Sequence, residues 1–390
     1  MGLFSQAELR DRVERLARIE RPSASPGEAE VAELIVTELR ELGADARVER
    51  ESAHGGYWWP IGLLTGAAAL AGALFGRLAA GLVGLAAAAA VTDDITGGSQ
   101  WFRRRALPSR STANVVAEIG AADADRTVLL VSHHDAAHSG LVFHPALPRA
   151  IARRFPAFWE KQETTPGTMW GAVGGPLLMA AGALLGLRRL RTAGTVLSAG
   201  YAAAMADIGA RQVVPGANDN LTGVAVLLSL TRSLRDDPLP GGTRVILLST
   251  GSEESFMEGM QAFARRHFGR LPTESTTVIC VDTVGSPHLL ALEGEGMVWM
   301  NEYPKDLLAE VNDAASELGI YLHPNLRLRN ATDGLIALRA GYPTAALASV
   351  DDLKVPANYH WPTDTPDNVD YGTVADCARL CRRVLERLAG

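Results

Sequence analysis

Leu, Val and Ile return every three or four places in residues 6–20 and 27–43, a spacing that predicts two amphipathic helices. The turn between them, RPSASPGE, is a cap for the second. GADARVERES then alternates as a strand does. Farther along, fully apolar runs trade places with amphipathic ones. TANVVAEIG, RTVLLVSHHD, TRVILLST, TTVICVDTVG and YPTAALASV read as strands. Residues 221–234, FMEGMQAFARRHF, MNEYPKDLLAEVNDAASELG and TVADCARLCRRVLERLAG read as helices. Buried strands alternating with helices imply an α/β fold: a mostly parallel sheet with helices on both faces.

Two stretches break this pattern. From Trp58 to Val91 nearly every residue is Ala, Leu, Gly, Val, Ile or Phe, interrupted at Arg77. That is long for one membrane span of ~20 residues and short for two, so a thin helical hairpin turning at Gly76-Arg77 is expected over 57–92. A second apolar block, Met169 to Leu187, continues after RRLR into a weaker segment from Thr192 to Ala210 that holds Asp207. It predicts a second hairpin over 168–210. Tyr57, Trp58 and Trp59 on one flank, with Trp101 and Phe102 on the other, suit the aromatic belts of a bilayer interface. The remaining segments, 1–56, 108–140 and 212–390, then form one discontinuous domain. Lipid is the expected partner of the hairpins, and an integral membrane location follows. The alternative is Ala-rich hairpins buried in the protein or in an oligomer interface.

The chain has 390 residues, 47% hydrophobic and 21% charged, with a formal charge of −7. No basic footprint marks a nucleic-acid binder. The three cysteines, Cys280, Cys377 and Cys381, have no framework spacing and suit a reducing compartment. The amphipathic start lacks the apolar core of a signal peptide, and Gly2 followed by Ser5 fits an N-myristoylation pattern only loosely. Both hairpins leave and return on one side, expected to be the cytoplasm. Arg103, Arg104, Arg105, Arg153, Arg154 and Lys161 flank them there, whereas Arg188, Arg189 and Arg191 at the second tip oppose the positive-inside rule.

The chemistry gathers where strands end, as it does in open α/β sheets. VLLVS runs into His133-His134-Asp135, VILLSTGS into Glu253-Glu254, and VICV into Asp282. Asp219 lies in the turn GANDN that opens a helix, and His360 in the loop NYHWPTDTPDN. Imidazoles and carboxylates are the ligands zinc takes in catalytic sites. Two ions need one bridging carboxylate and about two further ligands each, and His133, Asp219, Glu254, Asp282 and His360 meet that count. Asp135 is placed to accept the second ring N–H of His133, and Glu253, beside a ligand, to take a proton from water.

The order HxD, GANDN, EE, strand-terminal D and YH resembles the co-catalytic di-zinc aminopeptidase family, whose relatives include glutamate carboxypeptidases, the transferrin receptor and the glutaminyl cyclases. The resemblance covers the N-terminal helices and most of the chain outside the apolar insertions, and GANDN…TG and GSEE carry it best. It implies His133 and Asp282 on one zinc, Glu254 and His360 on the other, and Asp219 between them. Glu253 would be the general base and Asp135 the support of His133. The implied activity is removal of N-terminal residues from peptides. A glutaminyl cyclase-like acyltransferase or another amide hydrolase stays open, as does an inactive membrane scaffold, which predicts lost ligands. A transporter is disfavoured by the scarcity of polar groups in the apolar blocks. One departure is Gly334, where the family usually has a histidine after the equivalent of Asp333. His138 and His144, in the segment joining the second hairpin, are candidate extra ligands but suit packing better. Residue preference and oligomeric state are not legible.

Overall fold

Two helices, α1 (Gln6–Leu16) and α2 (Pro26–Glu41), lead into β1 (Asp45–Ala53). The first hairpin follows as α3 (Trp58–Leu74) and α4 (Arg77–Ile95), then α5 (Trp101–Ala106), β2 (Arg110–Ile119) and β3 (Arg126–His133). Short α6 (Ala146–Arg154) and α7 (Pro156–Glu160) precede the second hairpin, α8 (Trp170–Leu185) and α9 (Arg188–Ala210). The remainder runs α10 (Thr222–Asp236), β4 (Thr243–Thr250), α11 (Glu258–His267), β5 (Thr276–Val281), β6 (His288–Ala291), β7 (Gly294–Glu295), β8 (Asn301–Glu302), α12 (Lys305–Glu317), β9 (Arg327–Leu328), α13 (Gly334–Arg339), β10 (Thr344–Val350) and α14 (Tyr371–Ala389). This computed structural model describes residues 4–121, 123–240 and 242–390. Gly2 of the N-myristoylation pattern lies outside the described residues.

The main sheet has the order β1-β2-β4-β3-β5-β10-β6. Its centre, β4-β3-β5-β10, is parallel, and these strands are the apolar runs expected of a sheet covered on both faces. The edges are antiparallel, β1 and β2 on one side and β6 on the other. One face is covered by α1, α2, α10 and α14, the other by α11 and α13. Helix α1 stops at Leu16, short of the residue 20 that periodicity suggests, and the chain then extends so that Arg21 enters the interior.

Helix α2 starts with a capping box. Ser25 Oγ accepts from the Glu28 N–H at 3.1 Å, and the Glu28 carboxylate reaches back to the Ala24 N–H at 2.8 Å. The same carboxylate is buried and also accepts from Thr112 Oγ1, Ala113 N and Ser252 N. One residue therefore ties the start of α2 to the strand end that carries Glu253.

The apolar insertions are the expected hairpins, and they pack together. Helix α3 lies against α4 and α9, and α8 against α4 and α9. Small residues allow the close approach. A Cβ at Gly194 would fall on the Met179 backbone, and one at Gly84 within 2.8 Å of the Pro176 carbonyl. The first turn falls at Gly76-Arg77 as read from sequence. Arg77 donates to the carbonyls of Ala183 and Leu184 at 3.1 and 3.0 Å, and Arg191 to those of Gly72 and Phe75 at 2.8 and 2.6 Å. Each tip thus adds a guanidinium donor to carbonyls at the opposite hairpin's helix end. Among the described residues α4 is the helix long and apolar enough to cross a membrane. Helices α3 and α8 are apolar but have 17 and 16 residues, about 25 Å against a hydrocarbon core of about 30 Å. The outer surface of the bundle is apolar, with Leu70, Leu74, Leu78, Leu82, Leu185 and Val196 exposed.

Arg103, counted above among the flanking cations, is fully buried. It pairs with both carboxylate oxygens of Asp94 at 2.9 and 2.8 Å and lies 3.2 Å from Glu258, which receives the His54 and Gly55 N–H groups. It therefore locks the foot of α4 to α11 instead of facing a headgroup. Arg103→Met is expected to destabilise the chain by about 3–5 kcal/mol, because two buried carboxylates lose their counter-charge. Denaturant unfolding of the variant beside the parent checks this.

Candidate metal centre

Strand β3 delivers His133 at its carboxyl end, β4 runs into the turn with Glu253 and Glu254, and β5 is followed by Asp282. All three strands are neighbours in the parallel centre, so their ends open on one crevice. Asp219 comes from the turn before α10, where its backbone (φ −108°, ψ 90°) is not helical and the Asp219–Asn220 peptide is cis. The flanking asparagines join this turn to the end of β5. Asn220 donates to the Val281 carbonyl at 3.0 Å and accepts from the Thr283 N–H at 3.0 Å. Asn218 accepts from the Gly285 N–H at 2.7 Å.

The carboxylate of Asp219 faces two imidazoles. Its Oδ1 is 3.1 Å from His133 Nε2 and its Oδ2 is 3.3 Å from His360 Nε2. On the first side Asp282 Oδ2 lies 3.9 Å from His133 Nε2, and on the second Glu254 Oε2 lies 3.1 Å from His360 Nε2. Three groups have all donor atoms within 4.8 Å of one another: His133/Asp219/Asp282, Asp219/Glu254/His360 and His133/Glu253/Glu254. Glu253 Oε2 stands 3.9 Å from His133 Nε2. All five proposed ligand side chains are at most 12% exposed.

Asp135 does more than support one histidine. His133 Nδ1 lies 3.3 Å from its carbonyl oxygen and 3.4 Å from its Oδ1. The same carboxylate accepts from the N–H groups of Glu253 and Glu254 at 3.0 and 3.1 Å, and from Ser23 Oγ at 2.6 Å. It thereby fixes the HxD strand end against the Glu253-Glu254 turn.

The electrostatics favour bound cations. Burial raises Glu253 well above the usual carboxylate range and Asp282 to about 8, with neighbouring carboxylates adding to the rise. Burial would also raise Asp219, but hydrogen bonds from His133 and His360 outweigh it and hold that carboxyl far below normal. His360 is pushed up to about 10, as Glu254 and Asp219 overcome the cost of burying its charge. Glu254 Oε1, buried, has no hydrogen-bond partner among the described residues, and neither has His360 Nδ1. Unpaired buried carboxylates are costly unless a cation meets them. The donor set, imidazole nitrogen and carboxylate oxygen, is what zinc accepts, so these residues fit a zinc site.

Several neighbours carry no signal in the sequence. Arg21, fully buried, donates to the carbonyls of His134, Pro215 and Gly216, each at 2.7 Å, and so joins the HxD and GANDN segments. Gly216 has φ +59°, and a Cβ there would meet that guanidinium at 2.7 Å. Asp364 accepts from the N–H groups of Asn218 and Asp219 at 2.7 and 3.2 Å. The ring of Tyr359 stacks on His360 at 3.8 Å, with Phe143 edge-on at 4.6 Å. His134 bonds Ser249 Oγ at 2.9 Å and stays neutral, since burial lowers it to about 3. His138 packs on Trp58 and His144 on Trp361, and neither joins the ligand groups.

The ligands form the floor of a cleft of about 340 Å³, and the segment joining β3 to α8 builds one wall with Val142, Phe143, Pro148 and Ile151. Behind the opposite wall Glu295 is buried, accepting from Tyr303 Oη and from Thr332 N and Oγ1. Burial raises its pKa from 4.5 to about 7 despite those bonds. The folded state therefore holds a proton that the unfolded chain releases near 4.5. The stability this brings is complete below that pH and fades as pH rises through 7. Glu295→Gln is expected to remove a decline on the order of 3 kcal/mol between pH 5 and pH 8. Denaturant titrations of both proteins at the two pH values check the flattening.

This is a mixed α/β fold with a donor set that fits zinc at the ends of its parallel strands. Residues 200–385 match the family model of Peptidase family M28. A zinc aminopeptidase from Bacillus subtilis superposes with a TM-score of 0.58 at 13% identity, covering 99% of this chain and 96% of that one. The glutaminyl cyclase of Tannerella forsythia gives 0.57 at 15%, covering 98% of each chain. A Zn-dependent exopeptidase from Parabacteroides distasonis gives 0.56 at 13%, covering 99% and 98%. At these identities the likeness is one of fold. A search of curated proteins finds no significant sequence match.

Proposed function

We propose that the chain is a di-zinc aminopeptidase, cleaving N-terminal residues from peptides. The observation that carries this reading is the Asp219 carboxylate with one oxygen toward His133 and the other toward His360, each side completed by its own carboxylate, Asp282 or Glu254. Two zinc ions held there would polarise the scissile carbonyl and acidify the attacking water. Glu253, beside His133 and free of any other assigned role, takes the water's proton and passes it to the leaving amine. Asp135 keeps Glu253 aimed by holding its backbone N–H. The apolar wall of Phe143, Pro148 and Ile151 suits an apolar side chain.

Likeness to glutaminyl cyclases sustains a second reading, and one assay separates the two. A leucyl peptide with a free amine, the same peptide acetylated, and a glutaminyl peptide are offered to the purified protein. Release of leucine from the free peptide alone supports the aminopeptidase. Closure of the glutaminyl peptide to pyroglutamate without leucine release overturns it.

We further propose that the four-helix bundle inserts into a bilayer, with the catalytic domain on the cytoplasmic side where Arg104, Arg105, Arg153, Arg154 and Lys161 lie. The support for insertion is the apolar outer surface of α3, α4 and α8, and for the orientation those domain-side cations, while Arg188, Arg189 and Arg191 at the far tip oppose it. Recovery of the native chain in the soluble fraction without detergent would sink the insertion.

A further inference from the structure

We propose that the cleft takes peptides held at a bilayer surface, entering from the side of the helical bundle. This rests on the peptidase reading above and assigns that site a substrate class.

Two of the four helix feet meet at the cleft. Tyr57, just before α3, and Met169, just before α8, line it together with His133, Asp219 and Glu254. Helix α9 ends at Ala210, and an extended stretch that bridges His138 at Val213 leads on to the turn holding Asp219. With the bundle in a membrane, the mouth of the site lies at headgroup level.

The wall segment between β3 and α8 is tied to α9 at both ends. The Leu141 N–H donates to Asp207 Oδ2 at 2.7 Å, and Tyr201 Oη donates to the Thr168 carbonyl at 2.6 Å. Its middle is held across the cleft, where Trp159 Nε1 donates to the Leu353 carbonyl at 3.1 Å and Lys354 Nζ to the Glu160 carbonyl at 2.7 Å. The inner face of the segment is substrate wall. Its outer face leaves Leu141, Phe155 and Phe158 53–60% exposed. Arg153, Arg154 and Lys161 stand exposed among them.

Bulky apolar side chains interleaved with cations are what an anionic lipid interface receives. The segment is continuous with the apolar bundle through its two α9 ties, so one bilayer can seat both. A peptide lying in that interface then meets the metals by two-dimensional search, at a far higher effective concentration than one arriving from solution.

The test uses the full chain reconstituted in phosphatidylcholine–phosphatidylglycerol vesicles. Two peptides share an N-terminal leucine and sequence, one carrying a palmitoyl group at its C-terminal end. The anchored peptide is expected to show a kcat/KM about tenfold or more above its soluble twin. Phe155→Asp/Phe158→Asp and, separately, Arg153→Glu/Arg154→Glu are expected to keep the soluble-peptide rate and lose most of the anchored advantage. Retention of the soluble rate shows that each variant is folded. Equal rates for the two peptides overturn the inference and leave the peptidase reading intact, and so does an advantage unchanged in both variants. Failure of the zinc-loaded chain to cleave either peptide overturns the peptidase reading, and the substrate class with it.

Discussion

Glu253→Gln is expected to lower kcat by about 10²–10⁴-fold while zinc content stays at the parental level. The glutamine keeps the side-chain volume and the Glu253 N–H bond to Asp135 that fixes the turn. It cannot accept a proton. In the proposed assignment the ligand atoms belong to His133, Asp219, Glu254, Asp282 and His360, so metal binding is expected to survive; a loss of zinc in the variant would instead point to the His133/Glu253/Glu254 group. Elemental analysis beside steady-state kinetics separates the two effects. A fully active variant would sink the assigned role of Glu253.

Asp219→Ala is expected to have the larger structural consequence. Asp219 belongs to two of the three ligand groups, and its two oxygens face different imidazoles. Under the proposed assignment its removal would take a ligand from each ion at once, whereas loss of His133, Asp282, Glu254 or His360 would take one. Zinc at about a thousand times its dissociation constant stabilises a one-site protein by about 4 kcal/mol. The parent is expected to gain at least that on zinc addition, and the variant only a small part of it. Activity is expected to fall at least as far as in Glu253→Gln. Thermal unfolding with and without zinc reads the difference, and an equal zinc-induced rise in both proteins would count against the bridging assignment.

The strand ends and their acids were legible because each closes an apolar run: VLLVS before His133, VILLSTGS before Glu253, VICV before Asp282. The hairpin turn at Gly76-Arg77 was legible because a lone charge interrupts an apolar block. Strand direction at the edges was not, since β2 and β6 have compositions like those of the parallel centre and only pairing sets their sense. Arg21, Glu28 and Asp364 were invisible because their partners are mainly backbone groups far along the chain, which no local period encodes. Charge runs are normally solvated, so the sequence pattern places Arg103 among the flanking cations. Its burial follows from Asp94 and Glu258, which come together only in the fold.

The most direct test of the account is the zinc content per chain of detergent-purified protein after dialysis against metal-free buffer. The account predicts close to two ions, lost together on Asp219→Ala and retained in Glu253→Gln. A folded chain that holds no zinc and takes up none when it is added would contradict it.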